Sequence, residues 1–444
     1  MPLESATLFI WNSLRNKSCI KAEEYNIRIL LVAIIAFVTF PVIAKQELNI
    51  VASISNSAQR AAYYNLIRAF EDKHPDTKIT IISFTSELYK AKFPQMLSSN
   101  QYDILYWHAG ERLFEFIEQG KVASINKIFT TKEMAGMFDN AVVDSISFEE
   151  KIYALPMSYY QIGFYYHKPL FSKLGIAEPQ NWEEFLAVCE VLKQNNVSPI
   201  YIGTGSNWPA TAWFDYLNLR LNGIEFHRDL IQGDASYLDE RIYNVLKKLQ
   251  DISEADYFIE DHQDLEWKQG LPLLFRGLIG MSMLGNYAIQ DFPGKIKDKI
   301  GFFKFPMFNG QSSYYEEAPL DVLILPTKTE HKELVKLFIQ FAAQSDNQEK
   351  FNKTLGILSP HKGAQQNNSS LVQEAYNTIA NAKGITQFFD RDSKKNYADK
   401  TMPLIDKFLV TLNIKDTQNA LEKVRFAIFE THTIKKFELK SKDF

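Results

Sequence analysis

Aromatic residues flanked by hydrogen-bonding ones recur along this chain: Trp107-His108, Tyr159-Tyr160-Gln161, Asn207-Trp208, Trp213, Asn286-Tyr287 and Phe388-Phe389-Asp390-Arg391. A sugar ring presents an apolar CH face and a rim of hydroxyls that both donate and accept. Flat aromatic rings cover the face, while Asp, Glu, Asn and Arg engage the rim through charge-assisted or bidentate hydrogen bonds. Such recognition requires no nucleophile. The same aromatics also suit core packing, and Asn56 and Asn286 suit helix caps as well as ligand contacts. Glu111, Asp390 and Arg391 read equally as surface charges, as an ion pair between two halves of the molecule, or as ligand contacts.

Other chemistries find little footing. The eight His are scattered without HExxH or HxH spacing, so neither a metal nor any other cofactor is expected. There is no Walker P-loop and no GxSxG elbow; Gly203-Thr204-Gly205-Ser206-Asn207 lacks the phosphate-binding lysine and reads as a tight turn after a strand. The acid pairs Glu149-Glu150, Glu183-Glu184 and Glu316-Glu317 point to opposite faces if they lie in strands, which denies them a shared catalytic geometry. No catalytic residue is expected, and the chain does not read as an enzyme.

The candidate residues fall at the ends of predicted strands. Leu48 to Ile54 is an apolar strand, Ser55-Asn56-Ser57 a turn that caps a helix from Ala58 to His74, and Pro75-Asp76 its stop. Strands at Lys78–Phe84 and Tyr102–Trp107 alternate with helices at Leu88–Ser98 and up to Gln119. This alternation predicts a parallel α/β sheet, whose ligands meet the loops after the strands. Those loops carry Asn56, Glu87, and the run Trp107, His108, Glu111, Arg112. A second α/β unit begins near Tyr153-Ala154-Leu155-Pro156. It has an aromatic strand at Gly163–His167, a helix opened by Asn181-Trp182, a strand ending at Tyr201, and another from Phe275 to Met283 ahead of Asn286-Tyr287. An apolar strand at Asp321–Pro326 precedes a helix at Glu330–Ala343, and the rest is mostly helical.

The first 44 residues carry an apolar run from Ile29 to Ala44 behind Arg28, ending in Val42-Ile43-Ala44 before Lys45. A basic flank, an apolar run too short for easy spanning and a small residue at the junction predict a signal peptide and export to the periplasm. Retention as an anchor is the alternative. A 444-residue chain with 46% hydrophobic and 23% charged residues is long enough for two cores. Cys189 is the only cysteine after the leader, so stability must come from packing rather than disulfides. A formal net charge of −4, with lysines interspersed among acids along most of the chain, argues against nucleic acid as a partner.

Several segments, in order, resemble the family 1 extracellular solute-binding proteins, the periplasmic receptors of carbohydrate ABC importers typified by maltodextrin-binding protein. They are Leu48-Asn49-Ile50-Val51, Phe70-Glu71-Asp72-Lys73-His74-Pro75, Tyr102 to Trp107 with Glu118-Gln119-Gly120, Tyr153-Ala154-Leu155-Pro156 to Lys168, Asn181-Trp182-Glu183-Glu184-Phe185, Gly277 to Tyr287 and Gly356-Ile357-Leu358-Ser359-Pro360. The resemblance implies a type II periplasmic-binding-protein fold: two α/β lobes, a discontinuous hinge crossed near Leu155, Phe305 and Leu355, and a central cleft. The implied lobes are residues 45–154 with 307–352 and residues 155–306 with 353–444. It also implies that Trp107, Glu111 and Arg112 line the first lobe, that Tyr160 is a hinge-side contact and that Trp208 and Tyr287 stack on sugar. Tyr159-Tyr160 depart from the maltodextrin receptor's pattern, which has an acid there. The implied partners are a sugar ligand and inner-membrane ABC permease subunits, with the receptor a monomer that closes on its ligand. A cationic solute such as a polyamine, held by Trp107, Glu111 and Asp390, is the alternative ligand, and a chemoreceptor or sensor kinase the alternative partner.

Overall fold

The computed structural model describes residues 45–311, 313–364 and 370–430; the leader expected over residues 1–44 lies outside them. Thirteen strands are found among the described residues: β1 Gln46–Ser53, β2 Thr77–Phe84, β3 Ile104–His108, β4 Ser147–Phe148, β5 Lys151–Ile152, β6 Ala154–Tyr159, β7 Ile162–His167, β8 Ser198–Tyr201, β9 Ile279–Gly285, β10 Ile300–Lys304, β11 Tyr315–Glu317, β12 Leu320–Ile324 and β13 Gly384–Thr386. One sheet runs in the order β2-β1-β3-β12-β6 and another β10-β7-β9-β8, with two-stranded pairs β11-β13 and β4-β5.

The first three strands are parallel, as their alternation with helices requires, but β12 lies antiparallel to both β3 and β6. The chain enters β12 after β10 and β11 with no helical crossover of the kind that would bring it in parallel. The helix Ser57–Lys73 is capped by Asn56, whose side chain accepts from the Gln59 amide at 2.8 Å. It buries Ala62, Tyr63, Leu66, Ile67 and Phe70, a three-to-four-residue spacing that gives one apolar stripe. In the second sheet, the strand expected from Phe275 begins only at Ile279. The helix Gly270–Phe275 ends there in a turn at Gly277, whose φ of 65° suits glycine and where a Cβ would stand 2.7 Å from the His167 ring.

The chain leaves the first sheet after Tyr159. Leu155, near which a crossing is expected, lies inside β6, which pairs with β12 from Ala154 to Tyr159. It returns over residues 305–319 and passes a third time near Leu358, whose carbonyl accepts from the Tyr159 amide at 3.1 Å. Aromatic residues dominate the second core: Trp213, fully buried, meets the rings of Phe164, Phe258 and Phe305 at 5.2–5.6 Å. Trp213 is therefore a core residue and not a ligand platform. No helix among the described residues is long and apolar enough to cross a membrane.

Candidate functional site

β3 places its side chains alternately, and that period of two sorts the first-sheet candidates. Trp107 points inward, only 4% exposed, stacked on Phe93 with ring centroids 3.4 Å apart and its indole N–H donating to the Arg112 carbonyl at 3.0 Å. Only an edge of it reaches the cleft, so its main role is packing. Tyr106 and His108 take the other face. His108 lies directly across from Asp321 in the β3–β12 register, and its Nδ1 is 3.2 Å from Asp321 Oδ1.

Asp321 is the hub of the site. Tyr160 donates its hydroxyl to Oδ2, and Arg391 donates to Oδ1 at 3.2 Å with its guanidinium 5.7 Å from the Tyr160 ring. Burial works to raise the Asp321 pKa, but the His108 hydrogen bond, the Arg391 charge and the Tyr160 hydroxyl outweigh it and hold the carboxyl below its usual value. His108 is pushed down to about 4, first by burial and then by Arg391, so the ring is neutral. Facing a carboxylate, Nδ1 carries the proton and Nε2 is left as an acceptor. A bulge in the β12–β6 register between Asp321 and Val322 marks the same spot.

Arg112 and Asp390 tie the first-sheet helix Glu111–Glu118 to the segment after β13. Arg112 Nε donates to the Asp390 carbonyl at 2.5 Å, and the two charged groups stand 3.8 Å apart. Arg391 sits in the short helix Phe389–Asp392, which is anchored by the Phe389 amide donating to Asp215 in the long helix Trp208–Gln232. A cleft of about 610 Å³ opens between these elements. It is walled by Trp107, His108, Arg112 and Phe116 on one side and by Asn207, Trp208 and Asp390 on the other. Trp208, half-buried at the start of its helix, has its ring 6.3 Å from Phe388.

Tyr287 is half-buried and continues an aromatic run, 5.6 Å from Tyr160 and 5.4 Å from Trp267, both edge to face. The remaining candidates fall elsewhere. Asn56 is a helix cap, and the side chain of Glu87 lies outside the described residues. Asn286 is fully buried, its side-chain carbonyl 3.3 Å from the Gln161 backbone amide at the first crossing. Tyr159 and Glu111 line a different cavity of about 340 Å³, beside Arg228 and Gln232. Tyr159 is turned away from Tyr160, which joins the Asp321 cluster, and Glu111 is turned from Arg112 by 100° around their helix. Burial pushes the Glu111 carboxyl up.

Sequence reasoning missed Asp321, Tyr106 and Trp267. A lone carboxylate in the apolar strand Leu320-Asp321-Val322-Leu323-Ile324 was the available signal for the first.

A family model for bacterial extracellular solute-binding proteins matches residues 55–349. An uncharacterised ABC transporter extracellular-binding protein of Pyrococcus horikoshii is 25% identical over 339 residues, 74% of this chain and 75% of the relative. A multiple sugar-binding protein of Streptococcus mutans is 20% identical over 329 residues, 70% of this chain and 75% of that one. Among solved structures, the bacterial solute receptor AcbH, described with an exclusive preference for β-D-galactopyranose, aligns with a TM-score of 0.80 at 23% identity, covering 87% of this chain and all of that one. The raffinose complex of RafE aligns with a TM-score of 0.69 at 15% identity, over 85% of this chain and 98% of that one. At those identities the structural likeness shows the type II binding-protein fold.

Proposed function

Because the chain belongs to the bacterial extracellular solute-binding proteins, we propose that it captures a sugar or oligosaccharide in the cleft between its two sheets, closes on it and delivers it to an ABC permease. The observation that carries this reading is the cleft itself: about 610 Å³, walled from both sheets, with Trp208 on one side and the Asp321–His108–Arg391 cluster behind the other. Its charged lining is balanced, with Lys90, Arg112 and Lys395 against Glu115, Asp390 and Asp399. That balance suits a neutral polyhydroxylated ligand and disfavours the polyamine alternative, which needs an excess of carboxylates.

In this reading Trp208 covers a sugar face, His108 Nε2 accepts from a hydroxyl, and Arg112 and Asp390 meet the rim with charge-assisted bonds. Sugar-binding relatives in both comparisons support the ligand class. The lobes, with the first kept through Tyr159 and resumed at Leu320, rotate about the three crossings. The ligand drives closure because it contacts both walls only in the closed state. Residues 1–44 export the chain, which works in the periplasm as a monomer and transforms nothing. A stacked face and several charge-assisted bonds support micromolar affinity, about −8 kcal/mol.

Calorimetric titration against mono-, di- and oligosaccharides, with polyamines and amino acids as controls, tests the proposal. Micromolar binding of at least one sugar is expected. Tight binding of an amine with no response to any sugar overturns it.

A further inference from the structure

We propose that Asp215, His227 and Glu317 form a site for one divalent transition-metal ion, zinc first among them, which fastens the long second-sheet helix to the strand returning to the first sheet. Their ligand atoms all lie within 4.8 Å of one another, and all three residues are at most 1% exposed. Four buried atoms converge there without a hydrogen-bond donor or acceptor: Asp215 Oδ1, His227 Nε2, and Glu317 Oε1 and Oε2. Buried polar groups are almost always satisfied, and unpaired buried carboxylates are among the costliest exceptions. The contrast with the adjacent residue is sharp, since Glu316, equally buried, is met by Arg220 at 2.5 Å and by the Tyr216 hydroxyl at 2.9 Å.

Four donors match the coordination number of structural zinc, and two carboxylates with a neutral imidazole balance a doubly charged ion. One nitrogen among oxygens suits zinc or manganese; calcium wants six to eight oxygens, more than the site offers. The backbone also assembles the cluster. Asp215 and His227 are twelve residues apart on one helix, about 18 Å along a straight axis. They meet because the helix breaks at Gly223, whose φ of 80° and ψ of 175° only glycine adopts readily.

The surroundings supply the supporting contacts that metal ligands need. The Phe389 amide fixes Asp215 Oδ2 at 3.0 Å. His227 Nδ1 lies 3.2 Å from the Asn218 amide, which is 2.7 Å from that of Asn222. Turning both amides together keeps both bonds and lets Nδ1–H donate to a carbonyl, freeing Nε2 to bind the ion. The 340 Å³ cavity is lined by Ala318 and Thr386, the neighbours of Glu317 along and across its strand pair, and brings solvent next to the cluster. Without the ion, burial pushes both carboxyls upward, and nearby acids add to the rise, Asp390 and Asp392 at Asp215 and Asp215 at Glu317, so the metal-free cluster holds a proton in its place.

The test uses the tag-free protein stripped with chelator. Titration calorimetry with zinc chloride should show one equivalent bound, and elemental analysis after gel filtration should show one zinc per chain. Glu317→Gln should weaken zinc binding at least 100-fold, while Glu115→Gln, an acid on the main cleft, should leave it unchanged. Zinc K-edge absorption of the wild-type protein, independent of any variant's folding, should show one imidazole with oxygen ligands and no sulfur. Absence of stoichiometric zinc and manganese binding, a calcium-only response, or unaltered zinc binding by a folded Glu317→Gln overturns the proposal.

Discussion

At the scale of single residues, the site depends on one carboxylate. Asp321 holds His108, Tyr160 and Arg391 together, so Asp321→Asn leaves a largely buried guanidinium without its counter-charge. Breaking a buried pair in this way costs about 3–5 kcal/mol, which chemical denaturation should register. His108 predicts a pH effect whose sign follows from its depressed value. Folded, it titrates near 4; unfolded, near the ordinary 6.5. The unfolded chain therefore binds more protons between those pH values, and stability is lost as the solution is acidified through that window, by up to ~3 kcal/mol from this residue. The glutamine variant His108→Gln keeps a donor for Asp321 and should show a flatter fall in Tm from pH 6.5 to pH 4. An identical slope in both proteins would sink the assignment. The two tryptophans at the cleft separate by burial. Trp107→Ala should cost about 3–5 kcal/mol as a core truncation, whereas Trp208→Ala should leave the fold nearly as stable and weaken sugar binding more than tenfold.

At the scale of elements, β3 and β12 carry the site because their antiparallel register sets Asp321 against His108. The helices behave less regularly. The segment from Trp208 to Gln232 is helical on both sides of Gly223, yet that residue sits in a region closed to other side chains. Replacing it by alanine should destabilise the protein by about 1–3 kcal/mol and separate His227 from Asp215, seen as a lower urea midpoint and lost zinc binding together. Much of this level was legible in the residues. The alternation of strands and helices up to Gln119, the cap at Asn56 and the stop at Pro75 follow from local backbone preferences, and these are short-range. The antiparallel placement of β12 and the late start of β9 were not, because they depend on which sheet the chain has come from and on how closely Gly277 approaches His167.

At the scale of the molecule, two sheets are joined by three passages, and the first is held by buried residues. Gln161 and Asn286 are both fully buried, and their contact pins the first passage. Ties such as Arg112–Asp390 and Arg391–Asp321 link the first sheet to the segment after β13. Ligand-driven closure about these passages predicts that saturating sugar lowers the radius of gyration measured by small-angle X-ray scattering. A ligand that binds with micromolar affinity and leaves that radius unchanged would show that the lobes do not move.

The sequence by itself determined the fold class and the family likeness, because strand and helix periodicity, capping and ordered local motifs are encoded over a few residues. The tertiary structure alone decided which rings are packed away and which keep an exposed face. Trp107, Tyr159 and Trp213 carry the same residue types as Trp208, Tyr160 and Tyr287, and only the partner surface each one meets separates packing from exposure. The same holds for Asp321 with Arg391, and for Asp215 with His227 and Glu317. Those groups lie far apart in the chain or across a helix break, and pairing at such separation is set by how sheets and helices close on one another.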